Sequence, residues 1–438
     1  MPLLEIAKIL DTVRKRFLSI PDVRKSTIEH HIPIADFFMS GLAVFVLKFP
    51  SLLQFDDKCE TEQIKNNLNN LFQIGNKIPC DTHLRDILDK YDPLTCVRPA
   101  FEDNVALAEE HGVLDQFVLI DGYVLCAADG TGEFSSKEIH CEQCCKKTAK
   151  NGDITYYHQM LGAVLVHPEK RIVIPIGAEP ILKQDGEKKN DCEINASKRL
   201  LPYIKKAFPN MKLILTLDAL FCNAPHINII NSIGYRFIIT VKANNKHIFN
   251  QVNELEKDGK ITHIEMEDNG FLYRFRFVNG IQLNKSNKNI LVNFIEVWET
   301  DKKGHVKHFA WITNFDITEC NLLPVMRGGR ARWKIENETF NTLKNQGYNF
   351  EHNYGHGNQF LANVFMMLMF LAFQIDQIHE LSSDLFQTVL KVTGSRIALW
   401  DDVRSVFKFF HIDSWEKMYK MLFATQTGKE YGSAPQGP

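Results

Sequence analysis

The sequence has almost no net charge, because 51 lysines and arginines stand against 53 aspartates and glutamates in 438 residues. A formal charge of −2 neither indicates nor excludes a nucleic-acid partner, since the electric field of the whole molecule is weak. Any contact with nucleic acid must come from local basic segments. Such segments lie at 137–150, 198–206 and 327–334, and a solvated surface is an equally good interpretation of each one alone.

The sequence also lacks a long hydrophobic run and a charged-then-apolar leader at Met1. Its longest apolar run, 362–375, contains Asn363 and Gln374 and is too short to span a bilayer. Ten cysteines without a secretory signal are expected to be reduced thiols or metal ligands rather than disulfides. These absences predict a cytoplasmic protein.

Hydrophobic periodicity divides the chain into segments of different type. Residues 1–110 carry apolar residues at helical spacing and predict a helical N-terminal domain, for which binding of DNA ends and a plain structural role are equally good interpretations. Residues 111–244 follow the order strand, strand, strand, helix, strand, which is typical of an α/β, RNase H-like mixed sheet flanked by helices. Alternation over 245–320 predicts an antiparallel, all-β insertion. Helical spacing returns over 321–425, and 426–438 is Gly/Pro/Ser-rich and predicts a disordered tail.

The element boundaries follow from the same patterns. Helices are predicted at 3–17, 34–52 and 68–88, and further helices near Asn190 and Asn223. Core strands are predicted at 117–120, 123–128, 156–166, 171–176, 213–217 and 237–241. Insertion strands are predicted at 261–266, 271–278, 290–298 and 305–313.

Two aspartates follow predicted core strands. Asp129 comes after 123–128 and Asp218 after 213–217, and open α/β sheets hold ligands at the carboxyl ends of their parallel strands. Asp121 lies in an Asp-Gly turn dipeptide and is expected to form that turn, a role that stays an alternative for Asp129 as well. Carboxylates that converge on two cations about 3.5–4 Å apart are the donors needed for Mg²⁺- or Mn²⁺-dependent phosphodiester cleavage.

A third acid is chosen by its position on a predicted helix. At about 100° per residue, Glu336 lies between Phe340 and Leu343 on the apolar stripe, whereas Glu338 lies opposite. An acid that faces a core needs a cation or a hydrogen-bond donor. A local ion pair with Arg332 is the alternative role of Glu336. Glu336 is therefore favoured over Glu338 as a metal ligand.

Five ordered stretches resemble the bacterial insertion-sequence transposases of the cut-and-paste type, which have a DDE site and a β insertion. The resemblance covers about residues 80–375 and rests on AADGTGEFSSKEIHCEQC (127–144), TYYHQMLGAVLVHP (155–168), EPILKQDGEKKNDCEINASKRLL (179–201), LTLDALFCNAPHI (215–227) and RARWKIENETFNTLKNQGYNFEHNYGHG (330–357). By this resemblance Asp129, Asp218 and Glu336 match the three metal-binding acids. It implies a DNA transposase with two Mg²⁺ or Mn²⁺ ions that acts as a homodimer on terminal inverted repeats in the bacterial nucleoid.

The resemblance also implies roles for basic residues. Arg332 and Lys344 resemble the arginine and lysine of the family's Tyr-Arg-Glu-Lys signature, which hold DNA phosphate. Gly329 stands where that tyrosine would be, and the lysine is one residue farther from the glutamate than is common. From the sequence itself, Arg327, Arg330, Arg332 and Lys334 form a basic cluster without an acid and are candidate DNA contacts.

A cysteine pair gives a weaker signal. Cys141 and Cys144 have zinc-knuckle spacing, but no second CxxC follows, so unliganded thiols are favoured over a structural Zn²⁺. Cys192 or His158 could complete a four-ligand set, and His356 could approach phosphate or cap its loop.

Two other functions remain open at this point. An RNase H-like nuclease would cut DNA without strand transfer, and a catalytically silent DNA-binding protein would keep the fold alone. The three acids argue against the silent protein, and inverted repeats flanking the gene would separate a mobile element from both alternatives.

Overall fold

The structure is a computed structural model, and it describes residues 4–24, 32–59, 61–182 and 191–432. Three sequence predictions lie outside these residues, namely a helix beginning at Leu3, a helix beginning at Asn190 and the tail over 433–438. The helix that was expected near Asn190 begins at Glu193 within the described part.

Seven helices form the N-terminal part of the described chain. They are α1 (Ile6–Leu18), α2 (Ile34–Val46), α3 (Leu52–Cys59), α4 (Glu62–Phe72), α5 (Asp81–Leu88), α6 (Pro93–Cys96) and α7 (Arg98–Glu110). Helical spacing explains α1, whose buried residues Ile6, Ile9, Val13 and Phe17 share one face. The single helix predicted over 68–88 is two helices, because α4 ends at Gln73, which adopts a left-handed conformation.

The core opens with a run of strands and then alternates helices with strands, close to the predicted order, with one additional short strand at Cys145–Thr148 that the sequence pattern did not predict. Its elements are β1 (Val118–Ile120), β2 (Tyr123–Ser136), β3 (Cys145–Thr148), β4 (Ile154–Val166), β5 (Ile174–Ile181), α8 (Glu193–Ala207), β6 (Leu213–Leu217), α9 (Ala224–Ser232) and β7 (Arg236–Thr240). In space the strands run β5-β4-β2-β6-β7. The pairs β5–β4 and β4–β2 are antiparallel, whereas β2–β6 and β6–β7 are parallel. This mixed sheet confirms the predicted α/β, RNase H-like fold class.

The insertion extends the same sheet. It contains α10 (Lys246–Lys257), β8 (Thr262–Asp268), β9 (Phe271–Gln282), β10 (Leu291–Thr300) and β11 (Val306–Thr313). Strand β11 pairs antiparallel with β7, so the four insertion strands continue the core sheet in the order β11-β10-β9-β8. The expectation of an all-β insertion is wrong in one element, since α10 opens it. Its buried residues Ile248 and Val252 are four apart and lie on one face of the helix, a spacing that a strand face shares, so the pattern did not separate the two.

Helices return after the insertion. They are α11 (Leu322–Arg330), a π-helical turn (Ile335–Phe340), α12 (Asn341–Asn345), α13 (Leu361–Ser382), α14 (Asp384–Thr393), α15 (Arg396–Phe409) and α16 (Trp415–Thr427). Contrary to the expectation that its apolar run is too short, helix α13 is long and apolar enough to cross a membrane, but its most apolar window is wholly buried inside the protein. It packs against α2 and β5 as the central helix of the core. Helix α16 reaches Thr427, so it includes the first residues of the predicted tail.

The two faces of the core sheet carry different helices. A side chain at Gly177 of β5 would meet Leu200 and Tyr203 of α8. A side chain at Gly162 of β4 would instead meet Phe340 of the π-helical turn and Phe370 of α13. The sheet therefore separates α8 from the C-terminal helices.

A buried ion pair joins the N-terminal helices to α13. Lys48 Nζ lies 2.6 Å from Asp376 Oδ2, and the side chains are 0% and 6% exposed. The ammonium also lies over the rings of Tyr348 and Trp400, at 4.3 and 4.2 Å from the centroids, and Tyr348 donates to the same carboxylate. Burial disfavours both charges, lowering the pKa of Lys48 and raising the pKa of Asp376. Each charge is therefore tolerated mainly because the other is present.

We expect Lys48→Met to lower the free energy of unfolding by about 3–5 kcal/mol, because it leaves the Asp376 charge buried without a counter-ion. Urea denaturation measures the loss. The double variant Lys48→Met/Asp376→Leu should recover much of it, since both charges are then gone. A loss below about 1 kcal/mol in the single variant would contradict this role for the pair.

Candidate functional site

Asp129 and Asp218 lie on neighbouring parallel strands. Ala127 of β2 is the partner of Thr216 of β6, and each aspartate comes two residues later in its own strand direction. The two side chains therefore leave the sheet on the same face and at the same level. Asp218 follows the last residue of β6, as predicted, and its Oδ1 accepts a hydrogen bond of 2.8 Å from the amide of Leu220.

Asp129 is inside a strand rather than at the end of one. Strand β2 runs to Ser136, because past the end of β6 it remains paired with β4, where Asp129 lies opposite Gly162. The predicted strand end at Ala128 and the alternative turn role of Asp129 are both wrong. Asp121, by contrast, does form a turn and has a φ of 50°.

Glu336 reaches this face of the sheet from the π-helical turn. Phe340 of that turn packs over Gly162 of β4, which is the direct strand partner of Asp129 of β2. Arg332 Nη1 donates to both carboxylates, at 2.9 Å to Asp129 Oδ2 and 3.0 Å to Glu336 Oε1. The Arg332 side chain, which is only 9% exposed, thus links Asp129 of the strand to Glu336 of the π-helical turn.

The π-helical turn changes the basis on which Glu336 was chosen. A π-helix turns less per residue than an α-helix, so the 100° phase does not apply from Ile335 onward. Glu336 and Glu338 are both partly exposed, and the Glu336 side chain keeps 39% of its surface. They differ in their neighbours, since Glu338 acts on Lys334 and Arg396 rather than on Asp129. The structure therefore brings Glu336, and not Glu338, to Asp129.

A fourth carboxylate, from Glu193, was not recognised in the sequence. Glu193 opens α8 on the opposite face of the sheet, and its Oε1 is 2.2 Å from where a Cβ of Gly130 would be. Burial, followed by the charge of Asp218, raises the pKa of Glu193, and the charge of Glu193 adds to the effect of burial in raising the pKa of Asp129. Only a glycine at 130 leaves room for this carboxylate. The Asp-Gly pair at 129–130, interpreted above as a turn signal, was the available clue.

The acids share too little positive charge to be ionised together. Burial, the hydrogen bond with the Glu336 carboxyl and the charge of Glu193 raise the pKa of Asp129 to about 7, although Arg332 acts in the opposite direction. The only cation within 4 Å of Asp218 among the described residues is Lys242, whose Nζ is 3.9 Å away. A set of carboxylate oxygens with excess negative charge fits a hard divalent cation such as Mg²⁺ or Mn²⁺.

An open cleft of about 760 Å³ lies beside the acids, between the core and the insertion. Asp218 and Arg332 line it, together with Lys242 and Lys246. Trp333 stands at its wall, 53% exposed, with the Arg332 guanidinium 4.7 Å from its ring. The cleft thus places exposed cations and an aromatic face next to the carboxylates.

Gly329, which stands where the family signature has a tyrosine, has a steric role. A Cβ at this position would lie 2.5 Å from the indole of Trp311, a buried residue of β11. An aromatic ring supplied by the insertion therefore covers the backbone of α11 at this point.

The basic cluster predicted to contact DNA has no acidic residue within its own sequence, but acidic residues from other segments lie beside it in space. In space the insertion and a nearby loop supply partners, and the pairs are Arg327–Asp268 (2.5 Å), Arg330–Glu299, and Lys344–Glu351 (2.8 Å). Lys334 Nζ donates to the carbonyl oxygen of Lys170 at 2.5 Å. Asp268 and Glu299 belong to the insertion strands β8 and β10. The insertion therefore partly neutralises the basic segment of α11.

The cysteine pair belongs to a cluster of four. Cys141 and Cys144 lie between β2 and β3, His158 lies in β4, and His356 lies in the loop before α13; their ligand atoms are all within 4.8 Å of one another. Cys192 is outside this set and lies exposed at the start of α8. His158 was a candidate fourth ligand, whereas His356 is 212 residues from Cys144 and no spacing motif could connect them.

Comparisons with known proteins find little in sequence. No protein-family model matches the chain, and no curated protein matches it in sequence. A cryo-EM structure of the piggyBac transposase synaptic complex with hairpin DNA is similar over 98% of this chain and 80% of that one, with 14% identity and a TM-score of 0.40.

We expect the stability of the metal-free protein to report the raised pKa of Asp129. The unfolded carboxyl titrates near pH 4, whereas the folded one holds its proton to about pH 7. The folded state thus binds more protons between these values, and the free energy of unfolding falls as pH rises through that window. Asp129→Asn has no titrating carboxyl at this position, so its free energy of unfolding should not fall in this way. The difference in stability between the variant and the parent chain should therefore grow from about pH 4 to about pH 7 and stay constant above pH 7.

Urea denaturation in chelator at a series of pH values measures this difference. Asp121→Asn, in an exposed turn, is the matched control and should show no such window. A difference between Asp129→Asn and the parent chain that does not change with pH would contradict the assignment.

Proposed function

We propose that this chain is a DNA transposase of the bacterial insertion-sequence type, with a DDE site made of Asp129, Asp218 and Glu336. The observation that carries the proposal is the convergence of these acids on one face of an RNase H-like sheet. Asp129 and Asp218 come from adjacent parallel strands, and Arg332 joins Asp129 to Glu336. The five stretches that resemble this family contain all three acids.

The carboxylates would hold two Mg²⁺ or Mn²⁺ ions, which when bound activate the attacking oxygen and stabilise the leaving oxygen. Asp129, Asp218 and Glu336 supply the oxygen ligands. Arg332 now provides the positive charge between Asp129 and Glu336. Once cations satisfy those carboxylates, its guanidinium is free to hold a phosphate oxygen, which is the role that the family signature implies for it.

The reaction that we propose for these groups is the one that the family resemblance implies. A water oxygen attacks phosphorus at the element's end, and the 3′ oxygen leaves as a hydroxyl. That 3′-hydroxyl then attacks another phosphodiester, forming one P–O bond as another breaks. The substrates would be double-stranded terminal repeats and target DNA, and the resemblance implies a homodimer that acts on two ends. The cleft lined by Lys242, Lys246 and Trp333 is the place we assign to the DNA strand beside the acids.

The experiment that tests the function is incubation of the protein with the DNA that flanks its gene, in Mg²⁺ or Mn²⁺, followed by mapping of the ends. Cut ends that are then joined to a second DNA support transposition. Cut ends that are never joined support the nuclease without transfer. Binding without cutting supports the silent DNA-binding protein.

We expect Glu336→Gln to abolish metal-dependent cleavage and to leave binding of DNA ends intact. Glutamine keeps the volume and one oxygen but removes the charge that draws the cation. Asp129→Asn and Asp218→Asn should behave in the same way. Gel assays of cleavage and of binding, run on the same preparations, separate the two effects.

Glu338→Gln and Asp121→Asn are the matched controls and should keep most activity. Glu338 lies near Lys334 and Arg396 rather than the acids, and asparagine is tolerated in the turn at Asp121. Loss of cleavage in the Glu338→Gln variant would assign the role of third metal-binding acid to Glu338 instead of Glu336. Activity in every variant would mean that the chain does not cut DNA as proposed.

The basic segment gives a separate prediction about affinity. Replacing Arg327 and Lys334 by alanine should weaken DNA binding and reduce the log–log salt slope by about one unit for each lost phosphate contact. Arg330 is left in place, because its partner Glu299 is only 3% exposed and would lose its counter-ion. Asp268→Asn should do the reverse and tighten binding, since it frees Arg327. An unchanged salt slope in the double variant would assign these residues to a solvated surface.

A further inference from the structure

Four soft or borderline ligand atoms converge at one point outside the acidic site. The Sγ atoms of Cys141 and Cys144 are 3.8 Å apart, and His158 Nε2 lies 3.4 and 3.5 Å from them. His356 Nε2 approaches Cys144 Sγ at 3.1 Å. Around a tetrahedral Zn²⁺, with Zn–S near 2.3 Å and Zn–N near 2.0–2.1 Å, sulfurs are about 3.8 Å apart and sulfur and nitrogen about 3.5 Å. The sulfur–sulfur separation and the two His158 separations are close to these values, and every pair of the four ligand atoms lies within 4.8 Å.

We propose that Cys141, Cys144, His158 and His356 bind one Zn²⁺ ion in a closed structural site. Two thiolates and two imidazoles are a complete tetrahedral donor set, with no position left for water or substrate. The sulfur and imidazole donors differ in chemistry from the carboxylates around Asp129, which suit a hard cation. The molecule would therefore hold two kinds of metal at two separate places.

The surroundings favour a metal over a disulfide or packed thiols. Cys144 and His158 are 0% and 1% exposed, so the centre of the cluster is shielded from water. The backbone amide of Cys141 donates to Cys144 Sγ at 3.4 Å, which stabilises negative charge on that sulfur. A disulfide between the cysteines would need neither histidine, yet both imidazoles turn their Nε2 atoms to the sulfurs.

The backbone around His356 is shaped to bring it there. Gly357 has a φ of 66°, and a Cβ on it would lie 2.3 Å from Asp89 Oδ1. The Asp89 carboxylate accepts hydrogen bonds of 2.9–3.0 Å from four successive backbone amides, those of Asn358, Gln359, Phe360 and Leu361. The loop is thus fixed on one side by α5, and His356 points from it toward the cysteines.

The ion would tie a distant loop to two paired strands of the sheet. Cys141 and Cys144 follow β2, the strand of Asp129, and His158 lies in β4, which pairs with it. His356 follows the π-helical turn of Glu336 and α12. A bond from this loop to the sheet therefore limits how far the two elements that carry acids can separate. Zinc binding is a property of the four ligands, and it does not depend on whether the chain cuts DNA.

The test is metal analysis of the full chain expressed with added Zn²⁺. We expect about one equivalent of zinc in the parent protein and tetrahedral thiolate–cobalt absorption after replacement by Co²⁺. His356→Ala should lose most of the zinc. The matched controls are His352→Ala, in the same loop but outside the cluster, and Cys192→Ser, an exposed cysteine; both should keep it.

A second variant keeps the proposal falsifiable if His356→Ala does not fold. His356→Cys retains a four-ligand set, so it should fold, bind zinc and show stronger sulfur-to-cobalt absorption than the parent chain. Less than about a fifth of an equivalent of zinc in the parent after reconstitution, or a Cys141–Cys144 disulfide found by mass spectrometry, overturns the site. Full zinc retention with an unchanged cobalt spectrum in His356→Ala overturns the role of that ligand.

Discussion

Repulsion between carboxylates is the main electrostatic constraint on the structure where β2 and β6 run side by side. Two unit charges 4 Å apart repel by about 4 kcal/mol even at an effective dielectric constant of 20. Asp129, Asp218, Glu193 and Glu336 are gathered there, and Arg332 bridges only two of them. The folded chain relieves the remainder by keeping a proton on Asp129 to about pH 7. The fold brings together carboxylates whose negative charges repel one another, which is typical of a site that binds a cation.

The continuous sheet connects the insertion to this site. Because β11 pairs with β7, the insertion strands are held in register with the core rather than attached by flexible linkers. This register places Trp311 on Gly329 and brings acids of β8 and β10 to the arginines of α11. The charge that α11 presents to a partner is therefore set jointly by two segments. Neither segment reveals it alone.

Much of the architecture could be predicted from periodicity, since β6 and β4 are buried strands with clear patterns and their order limits the topology. The parts that could not be predicted depend on tertiary contacts. Strand β2 continues past Asp129 because β4 pairs with it there, and pairing partners are invisible in a local pattern. The π-helical turn has no sequence signature in a phase calculation that assumes an α-helix. Glu193, and the place of His356 beside the cysteines, were missed because each meets its neighbours only through the fold, whereas Asp218 follows its strand directly and was found.

The bridge between Asp129 and Arg332 closes a loop of 203 residues. Contacts so distant in sequence carry a large loop-closure entropy and form late, after local helices and hairpins. A ribosome makes β2 and β6 long before it makes the π-helical turn, so the strands can pair while the last acid is still unmade. The full set of carboxylates then exists only in a chain that extends past Glu336. Unfinished or truncated chains that end before Glu336 lack this set.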